Sequence, residues 1–321
     1  MPMHRRLLLT AALLGLAPRL GLAQAPAPGP SPAPPSPPGL LERVQALGLE
    51  QHAAGRVTAW YPAGLRSRAE TLRALIDDAA GYFRRQLGIE GELHLAVLTR
   101  EQWDRVIDGQ PYGIPGVAGR PPVVFMPAGD DGLAAEDALA LRPLVAPATL
   151  EALADAGFDY ETASRRYVDL VGLHELGHAY ARRFGLWANC RWLDELVATF
   201  FAYAYLREQR PALARLWDGV LQAYVDAVVP AHRTLEDFDR LYFGVGARNY
   251  VWYQAQFQRK VRQAYEARGI AFLRELQAHF GTPSPVVLAP ERILARLDPV
   301  MPGFRAWAAS LAGPGGGVPG R

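Results

Sequence analysis

Residues 174–203 read HELGHAYARRFGLWANCRWLDELVATFFAY. Tyr167, Leu170, Val171, Leu173, Leu176 and Ala179 recur around its start at spacings of one to three, which predicts an amphipathic helix. On such a helix His174 and His178, four apart, project from one face and can present two imidazole nitrogens to one ion. Glu175 follows about 100° around the helix, close enough for its carboxylate to reach a water on that ion. The pattern H-E-x-x-H is therefore suited to holding zinc with the glutamate as a base. The plain alternative is a helix with two ordinary histidines.

Zinc at a reacting site takes three protein ligands and keeps one position for water. A third histidine at the H-E-x-x-H-x-x-G-x-x-H spacing is excluded, because Ala181 and Phe184 stand at those places. Gly185 turns the chain, and a second amphipathic helix starts near Trp192 with Asp194 and Glu195 in its first turn. Glu195 lies 17 positions after His178. Either acid is a candidate ligand, and Asp194 also suits a helix start, where a negative charge meets the helix dipole. Thr199, one turn after Glu195, is placed to bond a ligand or to face solvent.

Trp192-Leu193-Asp194-Glu195-Leu196-Val197-Ala198 following His174-Glu175-Leu176-Gly177-His178 resembles the gluzincin metallopeptidases, especially the aminopeptidase-N-like branch. There H-E-L-x-H is followed by W-L-x-E-G-x-A. The resemblance implies an α+β, zincin-like domain in which His174, His178 and Glu195 bind Zn2+ and Glu175 is the catalytic base. It implies hydrolysis of peptide bonds in a peptide or protein substrate, through a zinc-bound water activated by Glu175. Leu196 replaces the family's glycine, and the G-x-M-E-N segment that holds a free amino end is absent, with residues 112–130 in its place. The likeness thus extends to the metal site and not to aminopeptidase specificity.

Hydrolysis also needs a donor for the developing oxyanion. Tyr250, Tyr253, Arg248 and His232 are candidates. Gly246-Ala247-Arg248-Asn249-Tyr250 resembles the family segment that carries a tyrosine, which implies Tyr250. The alternative is that Tyr242, Tyr250, Trp252, Tyr253 and Phe257 form a core stripe. Substrate binding as an added strand makes Val123–Met126 the candidate sheet edge, with a plain internal strand as the alternative. Two other function classes compete: a binding or envelope-assembly protein on the same fold, and a hydrolase of another amide such as a peptidoglycan crosslink. The intact Glu175 favours hydrolysis.

The rest of the chain sets the frame. Of 321 residues, 50% are hydrophobic and 21% charged, which excludes a wholly disordered protein. The 34 basic and 32 acidic residues form no basic block, which argues against a nucleic-acid role. The single cysteine, Cys190, excludes a disulfide scaffold and is expected to be small buried packing rather than a reactive thiol. His4, Arg5 and Arg6, the apolar run Leu7–Ala17 and Gly21-Leu22-Ala23 form a signal-peptide pattern over residues 1–23. That run is too short to span a bilayer, so the expectation is an exported, periplasmic or secreted protein without membrane insertion after cleavage.

Residues 24–39 carry 8 prolines in 16 positions, an extended spacer. Residues 313–321 are a Gly/Pro-rich tail, expected to be disordered. Between them we expect a single domain over residues 40–312. Its small α/β lobe (about 55–148) reads β-α-β-loop-β, with strands at Val57–Tyr61, Leu93–Leu98 and Val123–Met126 in a mixed sheet. His94, on the second of these, is expected to be a satisfied core residue. Residues 109–122 read as loop. The second lobe (about 149–312) is mostly helical.

Overall fold

A computed structural model describes residues 38–187, 190–282 and 287–313. The leader, most of the proline-rich stretch and the tail beyond Gly313 lie outside the described residues. The protein is α+β, with a five-stranded mixed sheet in its first part and a helical second part. The chain begins α1 (Leu40–Gln45), β1 (Glu50–Ala54), β2 (Val57–Tyr61), α2 (Arg66–Leu87), β3 (Leu93–Leu98), α3 (Arg100–Val106), β4 (Gly116–Ala118) and β5 (Val123–Pro127). Then follow α4 (Leu133–Ala140), α5 (Pro147–Asp155), α6 (Tyr160–Arg183), α7 (Arg191–Gln209), α8 (Pro211–Ala227) and α9 (Leu235–Leu241). The last four are α10 (Ala247–Arg268), α11 (Ala271–Phe280), α12 (Pro290–Leu297) and α13 (Phe304–Leu311).

The strand order is β1-β2-β3-β5-β4. β2, β3 and β5 run parallel, while β1 and β4 are antiparallel edges. Strands covered on both faces read as continuous apolar runs, and β3 and β5 are buried along their whole length. Their side chains alternate between two cores. Leu93, Leu95, Val97, Val124 and Met126 join the large core shared with α2 and the helical part. Ala96, Leu98, Val123 and Phe125 face the smaller core built with α1, α3 and Tyr112.

Two expectations about the sheet are corrected. Val123–Met126 is not an edge: β5 is paired on both sides, by β3 and by β4. The edge on that side of the sheet is β4, three residues inside the stretch read as loop. A strand that short shows no alternation for a sequence pattern to detect.

Helix limits follow local chemistry. α2 buries Leu72, Ile76, Ala79, Phe83 and Leu87, and ends at Gly88, whose φ of 70° suits a left-handed cap. α3 starts at a capping box in which Thr99 Oγ1 accepts the Gln102 N–H and Gln102 Oε1 accepts the Thr99 N–H. Among the described residues no helix is long and apolar enough to cross a membrane.

Candidate metal centre

The site is set where α6 passes between the sheet and α7. Asp159 caps α6 by accepting the Thr162 N–H at 2.8 Å. Arg68 of α2 ties Asp169 with two bonds, at 2.6 and 3.0 Å. Two glycines let α6 approach its neighbours closely. A Cβ on Gly172 would come within 2.7 Å of Met126 Sδ on β5. One on Gly177 would strike the Ala198 carbonyl oxygen on α7 and lie 2.9 Å from Ala198 Cα. The start of α7 is fixed from α9, where Asp239 accepts the Trp192 N–H at 2.9 Å.

The contact at Gly177 makes a prediction. In an exposed helix Gly→Ala stabilises by about 1 kcal/mol. Here Gly177→Ala overlaps backbone, which cannot swing aside, so we expect destabilisation of about 1–3 kcal/mol. Calorimetric melting checks the sign. Ala198 is less than one turn from Glu195, so the same variant should disturb the site.

His174 Nε2 lies 3.0 Å from Glu195 Oε2, and His178 Nε2 lies 3.6 Å from the same oxygen. The two imidazole rings are 4.8 Å apart at 88°. Donor atoms of His174, Glu175 and His178 lie within 4.8 Å of one another, which brings the Glu175 carboxylate to the same place. Both histidines are buried, and Glu195 is 2% exposed.

The outward atoms are also engaged. Thr199 Oγ1 is 3.1 Å from His174 Nδ1 and donates to Gln254 Oε1 at 3.5 Å. A hydroxyl that donates to an amide oxygen can accept from the imidazole Nδ1–H, which orients the ring with Nε2 toward Glu195 Oε2. Asp194 Oδ2 sits 3.3 Å from His178 Nδ1, an ion-pair contact without hydrogen-bond alignment. Glu195 receives two further donors: Tyr242 Oη to Oε1 at 2.5 Å and Gln254 Nε2 to Oε2 at 2.8 Å.

Burial pushes the Glu195 carboxyl upward, but the His178 and His174 imidazoles outweigh it and hold the carboxyl well below the usual range. Burial pushes His178 downward, but Glu195 and Asp194 outweigh it and leave the imidazole well above its ordinary value. For Glu175, burial prevails over the attraction of both imidazoles and raises its carboxyl. Two buried imidazole nitrogens and one buried carboxylate oxygen that converge are a donor set that suits zinc. A divalent cation can replace the proton between His174 Nε2 and Glu195 Oε2, which lie 3.0 Å apart. On donor chemistry the residues fit a zinc ion.

Of the two candidate acids, Glu195 faces the inner nitrogens of both histidines, whereas Asp194 meets the outer nitrogen of His178. Of the candidate oxyanion donors, only Tyr250 is beside these groups. It sits in the first turn of α10, where burial and then the charge on Glu195 raise its hydroxyl well above the ordinary value. Tyr253 donates to the Thr234 carbonyl at 2.8 Å, Arg248 to Asp137 at 2.8 Å, and the His232 backbone bonds Asn249. Cys190 is buried, and burial pushes its thiol upward. His94 on β3 is buried between Glu92 Oε1 at 2.9 Å and Trp60 Nε1 at 3.4 Å.

Sequence reasoning missed Gln254 as a partner and placed Tyr242 only in an aromatic stripe. Gln254 left a trace: Gln254, Gln256 and Gln258 alternate with the apolar Ala255 and Phe257, and all three are buried. Tyr242 stands at φ 48° and ψ −111°, the one positive-φ residue other than glycine among those described. Holding a bulky side chain there costs about 1–3 kcal/mol.

Comparison of the chain with protein-family models, with curated proteins and with solved structures finds no match.

Proposed function

We propose that this chain is a zinc-dependent peptidase of the gluzincin type, with His174, His178 and Glu195 as ligands and Glu175 as general base. The observation that carries the reading is the position of Glu195 Oε2, against the Nε2 atoms of both histidines at 3.0 and 3.6 Å. Zinc held there supplies Lewis acidity, which polarises a substrate carbonyl and makes water more acidic.

Glu175 takes a proton from the attacking water as its oxygen bonds to the carbonyl carbon. A desolvated carboxylate is a stronger base than one in water, which suits this role. Glu175 then gives that proton to the amide nitrogen as the C–N bond breaks. Tyr250 donates to the carbonyl oxygen as negative charge develops on it. Thr199, Asp194 and Gln254 hold the ligands and keep their lone pairs directed inward. The substrate pairs with the outer edge of β4, which packs on α6. The leader pattern over residues 1–23 supports export of this activity from the cytoplasm.

The test is digestion of a denatured casein mixture by the purified chain. Cleavage that stops with a chelator and returns with added zinc is the expected result. Absence of cleavage in the zinc-loaded chain contradicts the proposed activity, and cleavage indifferent to chelator contradicts the proposed metal.

A further inference from the structure

We propose that Tyr242 is a positioning residue that restricts Glu195 to one oxygen toward the histidine pair; this rests on the metal reading above. The phenol donates to Glu195 Oε1 at 2.5 Å, while Oε2, the atom facing both imidazoles, accepts from Gln254 Nε2 at 2.8 Å. Donors on both oxygens fix the rotation of the carboxylate, and the phenol is the one that holds Oε1 turned away from the histidine pair.

The backbone supports this role. Tyr242 follows α9 at φ 48° and ψ −111°, a conformation that suits glycine. Backbone strain of this kind persists where the surroundings hold the residue, and here both ring and hydroxyl are engaged. The ring is clamped on three sides. The Arg191 guanidinium lies 4.6 Å from its centroid, Phe238 packs 5.5 Å away, and Tyr250 packs edge-on at 5.7 Å. The hydroxyls of Tyr242 and Tyr250 also interact. Arg191 and Trp192 both belong to the first turn of α7, and Asp239 of α9 accepts the Trp192 N–H. The segment carrying Tyr242 is thus docked at two points on the helix that carries Glu195.

Tyr242→Phe removes one oxygen and keeps the ring and its packing. The experiment compares metal-free wild-type, Tyr242→Phe and Tyr253→Phe chains by titration with Zn2+ and Co2+ against a competing chelator. Visible spectra of the Co2+ forms and thermal melting of the metal-free forms complete the comparison. For Tyr242→Phe we expect affinity about 10–100-fold weaker for both ions. We also expect weaker Co2+ absorption bands, because the freed carboxylate can bind through both oxygens and raise the coordination number. Tyr253→Phe, whose hydroxyl bonds Thr234, should match wild type in affinity and spectrum. Wild-type affinity and spectrum in Tyr242→Phe would overturn the proposal, and a lower melting temperature alongside them would mark the hydroxyl as merely structural. If wild type itself binds neither ion, the metal reading fails first, which is a distinguishable result.

Discussion

Replacing Glu175 by glutamine is expected to leave zinc bound and to abolish hydrolysis. Glutamine keeps the length of the side chain and one hydrogen bond to water. It cannot accept a proton at any working pH. The carboxylate lies with the His174 and His178 donors in a space of 4.8 Å, and burial raises its basicity. In the proposed mechanism it both takes the proton from water and returns it to the leaving nitrogen. Loss of one general base removes about 10²–10⁴ in rate, and a residue serving two transfers belongs at the upper end of that range. The measurement is kcat on a peptide substrate beside metal content. An active variant refutes the assignment of the base. A variant that has lost its zinc shows that Glu175 is a ligand.

The second large effect is expected at Glu195. Glu195→Ala removes the oxygen that faces both Nε2 atoms and leaves two imidazoles as the only first contacts for a cation. It also strips His178 of the charge that holds its proton, and strands the donors Tyr242 and Gln254 in a buried space. Zinc should be lost at micromolar concentrations. Asp194→Ala is the paired comparison. That carboxylate is partly exposed and touches only the outer nitrogen of His178, at 3.3 Å. Removing such an outer partner weakens affinity by about 10–100-fold at most, so zinc should remain in the purified chain. Zinc retained in Glu195→Ala and lost in Asp194→Ala reverses the assignment. Zinc retained in both places the third ligand elsewhere.

How much of this was legible in the sequence depended on distance along the chain. The pairing of His174 with His178 is local, since four residues on a helix return to the same face. Asp194 and Glu195 are adjacent, and their order in the site turns on how α7 is rotated against α6. That rotation is set by Gly177 on Ala198 and by Asp239 on the start of α7, contacts that no spacing reveals. Tyr242 and Gln254 lie 47 and 59 positions from Glu195 and reach it only through tertiary packing. The long helices α2, α6, α7, α8 and α10 and the buried strands β3 and β5 have enough period or apolar run to be read directly. β4, with three residues between glycines and prolines, does not. Nor do α1, α4, α5, α9 and α12, which have about two turns each and little repetition. The order of strands followed from none of these patterns, because it depends on which edges the helices leave open.

The central claim is that His174, His178 and Glu195 together hold a zinc ion. The most direct test is elemental analysis of the chain purified after expression with zinc present, beside His174→Ala and His178→Ala. The expected result is one zinc per wild-type chain and none in either variant. A wild-type chain that carries no transition metal, or variants that keep theirs, would contradict it.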